Sequence, residues 1–249
     1  MPDVRTGVRT NERRGRVVKR STICIRCLQI RTLLDKAFRT DDYAVSTISS
    51  SRRTRGSDQM KRQNWERRRL GRTGFEVTDL GIGCAWLGHT DGSDNREVAV
   101  QTVLAGLESG INLIDTSDDY RDGRSEGYVG EALEHWFGQG NRREDIILST
   151  KLTAHKGSPD AFTYDGAIRG FEHSLRELRV DYVDMFLIHD PVDLAPVFAA
   201  DGALAALRTL KEQGAIRVIG LGCRPHEFHQ RCIETGEFDV SLTFQDYNL

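Results

Sequence analysis

The stretch Ile111–Leu133, INLIDTSDDYRDGRSEGYVGEAL, passes from a short apolar strand pattern through an acidic, glycine-broken loop into a helix pattern. It is one strand–loop–helix unit, so the fold turns on whether the unit repeats. Upstream, Leu80–Cys84 reads as a buried strand. In EVAVQTVLAGLESG the residues Val100, Val103, Leu104 and Leu107 then fall at helical spacing, with Gly110 placed to end the helix. Ahead of that, RRLGRTGFEVT reads as two short strands around the Gly71–Gly74 turn. Downstream come a helix at about 126–137, the strand DIILSTKL, and a helix near 164–179 with Ala167, Phe171, Leu175 and Leu178 on one face. The strand DYVDMFLIHD, the helix GALAALRTLKEQG, the strand IRVIGLGC, a helix near 226–235 and the strand VSLTFQDYNL complete the series.

Strands that alternate with helices imply parallel pairing through right-handed crossovers. Two architectures use such units. A doubly wound dinucleotide-binding sheet carries G-x-G-x-x-G directly after its first strand. This chain has only Gly81 and Gly83, inside the strand itself, with Trp86 where the third glycine belongs. The expected α/β fold is therefore the closed (β/α)8 TIM barrel. Eight units take about 250 residues, whereas positions 79–249 offer 171. About six of eight strands are in view, and the barrel is expected to be incomplete at the C-terminus.

Composition divides the chain in two. Residues 1–63 carry 16 Lys+Arg against 6 Asp+Glu, which leaves 19 basic and 31 acidic residues in 64–249. The first segment, rich in Arg, Ser and Thr and without sustained periodicity, is expected to be a disordered basic extension, with Met60 as an alternative start. Its acidic residues argue against a transit peptide. Its aromatic residues are Phe38 and Tyr43 alone, so nucleic acid is not an expected partner. No run reaches the roughly 18 apolar residues of a membrane span. Five cysteines without a disulfide framework point to a reducing, cytoplasmic setting. The Cys24/Cys27 pair lacks partner ligands, so no metal site is expected. Oligomeric state is not legible.

In a parallel barrel the C-terminal ends of the strands form one rim, and chemistry collects there. Those positions are Asp115 after INLI, Tyr120 in the loop beyond it, Lys151 after IILST and His189 after MFLI. Singly, each has a bland explanation as a cap, a packing residue or a solvated charge. Together they suit proton transfer to a carbonyl oxygen. A lysine ammonium stabilises a phenolate, an aspartate keeps the lysine charged, and a histidine can hydrogen-bond the reacting oxygen. In the same loop Asp118, Asp119 and Asp122 read as solvated charges, and Ser125 as the cap of the next helix.

The body resembles the aldo-keto reductase family. The family pattern of Asp, four residues, Tyr, then Ser-Glu and Gly-x-Ala-Leu is matched by Asp115, Tyr120, Ser125, Glu126, Gly130, Ala132 and Leu133. Its strand-end lysine and histidine fall on Lys151 and His189, and its LGRTG…V…LGxG segment matches Leu70–Gly83. The resemblance implies NAD or NADP as cofactor and an aldehyde, ketone or sugar hemiacetal as substrate, with Tyr120 as general acid/base. His189-Asp190-Pro191 is similar to the aldose-dehydrogenase branch. The resemblance further implies cofactor contacts at Gly222, Cys223 and Gln245, and a substrate contact at Asp190; Trp86, on the loop after the first barrel strand, reads either as a wall of the substrate pocket or as a packing residue. The family has Ser-Asn where this chain has Gly222-Cys223. The last two family units, absent here, carry much of the cofactor grip. Residues 1–249 alone are therefore expected to turn nothing over unless a second chain supplies them. A catalytically inactive fragment and a non-catalytic barrel binding module are the alternative readings.

Overall fold

The computed structural model describes residues 26–27, 64–90, 93–154 and 160–244. Arg26–Cys27 (β1) runs parallel to Leu80–Gly83 (β4). The rest of the basic extension lies outside the described residues. Two short strands, Arg67–Arg69 (β2) and Glu76–Thr78 (β3), pair as an antiparallel hairpin around the Gly71–Gly74 turn. A second hairpin, His89–Thr90 (β5) with Ser93–Asp94 (β6), follows β4 and was not expected from the sequence.

The repeating units come next. Arg96–Glu108 (α1) leads to Leu113–Asp115 (β7), and Ser125–Gly138 (α2) to Ile147–Thr153 (β8). Tyr164–Leu178 (α3) leads to Val183–His189 (β9). The short Ala195–Phe198 (α4) and Ala203–Glu212 (α5) precede Ile216–Gly222 (β10), and His226–Thr235 (α6) precedes Val240–Leu242 (β11). The expected boundaries hold to within two residues for most elements. Side-chain oxygens decide two of them: the Asn95 amide oxygen caps α1 by accepting from Val98 N–H, and the Thr163 hydroxyl caps α3 by accepting from Gly166 N–H. Ser125, expected as a cap, is instead the first residue of α2 and donates to the Cys84 carbonyl at 3.0 Å.

The sheet order is β1-β4-β7-β8-β9-β10-β11, with parallel pairing throughout. From β4 onward, spatial order equals chain order. A doubly wound sheet reverses direction at a switch point and places helices on both faces. A sheet that never reverses, with right-handed crossovers, places every helix on one face and curls as a barrel wall does. Two separate apolar clusters fit this. One joins the helices to the outside of the sheet through Val103, Leu133, Phe171, Phe186 and Leu207. The other lies on the sheet's inner side, where Leu113, Met185, Leu187 and Val218 meet Leu70, Phe75 and Val77 of the β2–β3 hairpin. That hairpin thus plugs the N-terminal end of the strands. Arg72 fastens it there by donating to the Gly236 carbonyl at 2.6 Å and to Asp239 at 3.1 Å.

Gly130 lets α2 approach the end of α3 closely. A Cβ at this position would lie 2.1 Å from the Glu177 carbonyl oxygen and 2.9 Å from the Leu178 carbonyl carbon. Backbone cannot yield as a flexible side chain can, so Gly130→Ala is expected to cost about 2–3 kcal/mol through overpacking. Thermal unfolding checks this: an unchanged midpoint would show that α2 moves away at no cost.

Candidate functional site

Three consecutive strands end on the same rim and bring the four expected side chains together. Lys151, on β8, is fully buried, and its Nζ donates to Asp115 Oδ2 at 2.8 Å and to the Thr116 carbonyl at 2.6 Å. The same Nζ stands 4.4 Å from the centroid of the Tyr120 ring. That ring meets His189 edge-on, with centroids 5.6 Å apart. Burial alone would push the Lys151 ammonium down. The Asp115 carboxylate and the Tyr120 oxygen outweigh it, and the net direction is upward. Lys151 therefore stays an ammonium beside the phenol.

His189 is held from behind. Its Nδ1 lies 2.8 Å from Thr153 Oγ1 and 3.2 Å from Ser117 Oγ, while Nε2 is 3.6 Å from Asp190 Oδ2. Neither hydroxyl was anticipated, although strand geometry contains the signal. Side chains two apart in a strand share a face, so Thr153 accompanies Lys151 at the end of β8. Asp118 also departs from expectation. Its carboxylate is buried and accepts from Thr153 N–H at 3.2 Å, so it fastens the β7–α2 loop to β8, whereas Asp119 and Asp122 are exposed as expected.

The expected cofactor positions divide. Gly222 ends β10 opposite His189, and a Cβ there would sit 3.7 Å from Lys151 Cδ, so this position faces the tetrad with no side chain of its own. Cys223, one residue on, faces the other way. Its buried thiol lies 3.5 Å from His229 Nε2 on α6, and burial pushes it up to about 12. The thiol is thus turned from the site and inert. His229 is satisfied by the Cys223 carbonyl at 2.9 Å and Ser241 Oγ at 2.6 Å. Gln245 lies outside the described residues. Trp86 is 61% exposed on the loop after β4, and its ring lies edge to face with His89, centroids 5.8 Å apart. Among the described residues Asp115 Oδ1 is buried without a hydrogen-bond partner. An unsatisfied acceptor and a side-chain-free strand end beside the same lysine fit a flat, hydrogen-bonding ring and its ribose.

Glu126 lies behind this rim in the first turn of α2, where it accepts from the Thr150 hydroxyl. Burial pushes its carboxyl up to about 7 from an ordinary 4.5. Between those values the folded chain holds a proton that the unfolded chain has released. Stability therefore falls as pH rises from 4.5 to about 7 and is flat above. The total is on the order of 3 kcal/mol. Glu126→Gln is expected to flatten that slope in denaturant unfolding followed from pH 4.5 to 8, and a slope unchanged by the substitution would assign it elsewhere.

Residues 79–249 match the family described as Aldo/keto reductase family. Aldo-keto reductase YhdN of Bacillus subtilis is 31% identical over 60% of this chain and 44% of that protein. L-galactose dehydrogenase of Arabidopsis thaliana is 31% identical over 74% of this chain and 57% of that protein. A solved aldo-keto reductase of Klebsiella pneumoniae in complex with NADPH is 27% identical with a TM-score of 0.52, covering 65% of this chain and 51% of that one. The chain spans about half the length of the curated relatives it matches.

Proposed function

The chain belongs to the aldo/keto reductase family, and on that premise we propose that it carries the acid–base site of an NAD(P)-dependent interconversion of a carbonyl with its alcohol. The observation that carries this reading is the buried Lys151 ammonium set between the Asp115 carboxylate and the Tyr120 ring. Tyr120 gives its proton to the carbonyl oxygen in reduction and takes it back in oxidation. Lys151 stabilises the phenolate that remains, and Asp115 holds Lys151 charged and fixed. His189, oriented through Nδ1 by Thr153 and Ser117, turns its other edge toward the same oxygen.

A nicotinamide dinucleotide, when bound, supplies or accepts the hydride. The residues proposed to hold it are Asp115 through Oδ1, Gly222 through its open strand end, and Gln245; Cys223 is withdrawn from that set. The NADPH-bound relative makes NADPH the first cofactor to test. The substrate class is an aldehyde, a ketone or a sugar hemiacetal, and an aldose is favoured by the likeness to L-galactose dehydrogenase. Trp86 and Asp190 stand on the loops that would border it. Among the described residues no helix is long and apolar enough to cross a membrane, and the buried cysteines Cys223 and Cys232 favour a reducing cytoplasmic setting. Residues 64–249 are assigned to the barrel and 1–63 to an extension, of which Arg26–Cys27 pairs with β4.

The test is a panel of aldehydes, ketones and aldoses mixed with NADPH or NADH and the barrel completed by the family's last two units, followed by nicotinamide absorbance. Carbonyl-dependent consumption supports the assignment. NADPH binding with no turnover across the panel would overturn it in favour of a non-catalytic binding module.

A further inference from the structure

The loop that presents Tyr120 turns back through three consecutive residues in the left-handed region: Arg121 at φ 59°, Asp122 at φ 54° and Gly123 at φ 83°. Only the last is a glycine. The other two cost on the order of 1–2 kcal/mol each and persist only where surrounding contacts hold them. The contacts here converge on one carboxylate from a different part of the chain, Asp94 on β6. Its Oδ1 accepts from Arg121 Nη2 at 2.9 Å. Its Oδ2 pairs with Arg124 Nη1 at 2.9 Å and also accepts from the Tyr128 hydroxyl. The Arg121 and Asp94 side chains are only 12% and 18% exposed, so solvent screens the pair far less than a surface salt bridge. The hydrogen bond from Tyr128, and after it that from Arg121, hold the Asp94 carboxyl below the usual carboxylate range.

Arg121 is the residue directly after Tyr120, and its other end reaches the β5–β6 hairpin, where Nη1 lies 3.3 Å from His89 Nδ1. His89 in turn carries the edge of Trp86. Three anchors on the catalytic side, Arg121, Arg124 and Tyr128, thus share one acceptor on the hairpin. Arg124 also closes the turn from below by donating through Nε to the Arg121 carbonyl at 2.9 Å.

We propose that Asp94 is a positioning residue for Tyr120: by clamping Arg121 and Arg124 it holds the strained turn that keeps the phenol against Lys151. The inference rests on the role given above to Tyr120 as proton donor, but its consequence is readable without cofactor or turnover. Loss of the clamp frees the turn to relax, the phenol swings from the ammonium toward solvent, and its phenolate loses the nearest stabilising charge.

The experiment is an ultraviolet titration of tyrosine ionisation, with the Tyr120 component isolated as the difference between each protein and its Tyr120→Phe counterpart. Asp94→Asn is expected to move that component to higher pH by about one unit. Glu131→Gln, which breaks only the exposed pair with Arg96, is expected to leave it in place. Arg121→Gly supplies a second route if Asp94→Asn unfolds, because glycine accepts the left-handed turn while removing the clamp's central arm. It is expected to move the component in the same direction with the thermal midpoint held. A Tyr120 component that stays put in the folded variants overturns the proposal. Absence of NADPH binding or turnover in the unaltered protein would overturn the assigned reaction instead, and the titration would be unaffected by it.

Discussion

Replacing Tyr120 with phenylalanine in the completed barrel is expected to lower carbonyl turnover by roughly 10³-fold, the usual contribution of a positioned general acid, while NADPH affinity stays within about twofold. The expectation follows from what the substitution keeps. The ring remains between the Lys151 ammonium, 4.4 Å from its centroid, and the His189 edge, so packing and orientation survive. Only the proton and its oxygen are gone. An effect confined to the chemical step lowers kcat with KM little changed, which separates it from a collapsed site. Rates within a few-fold of the unaltered protein would remove Tyr120 from the role of acid.

The second large effect is expected far from the rim. Asp184, near the start of β9, is fully buried, and its carboxylate holds three partners. Oδ2 accepts from Leu148 N–H of β8 at 2.9 Å and from Arg143 Nη2 at 2.9 Å, and Oδ1 accepts from Arg217 Nη1 of β10 at 3.1 Å. Asp184→Ala would leave a buried amide unsatisfied and the Arg143 guanidinium, 13% exposed, without its counter-charge. Breaking such a pair from one side costs about 3–5 kcal/mol, which lowers the midpoint of a unit this size by roughly 10 °C. Arg217 is half exposed and can turn to water, so it contributes the least. Asp184→Asn keeps an acceptor for Leu148 and is expected to recover part of the loss. A midpoint within about 2 °C of the unaltered protein in Asp184→Ala would mean that water replaces the carboxylate.

Much of this was legible beforehand because the barrel rule converts sequence position into place. A charged residue closing an apolar strand, as Asp115, Lys151 and His189 each do, must stand on the rim whatever the loops do. Period two then gives the face. It also could have corrected the reading of Cys223, since Gly222 and Cys223 are adjacent and cannot both look inward. Asp118 was misread because a loop aspartate that fastens to the next strand has the same local sequence as a solvated one. Asp94 carried no signal at all. Its hairpin has two-residue strands and no periodicity, and its partners lie about thirty positions away. What brings them together is the turn at Arg121–Gly123, whose left-handed backbone is announced only by Gly123.

The strand order has a consequence for how the chain is made. From β4 onward each strand pairs with the one before it, so a growing chain can lay each new strand against an edge already waiting at the ribosome exit. Loop closures stay short, and each addition covers the previous hydrophobic edge before the next emerges. The contact of Arg26–Cys27 with β4, the packing of the β2–β3 hairpin on Met185 and Val218, and Arg72 reaching Gly236 and Asp239 span longer intervals. The β2–β3 plug therefore waits longest for its fastening, and this end of the sheet is the last to be sealed.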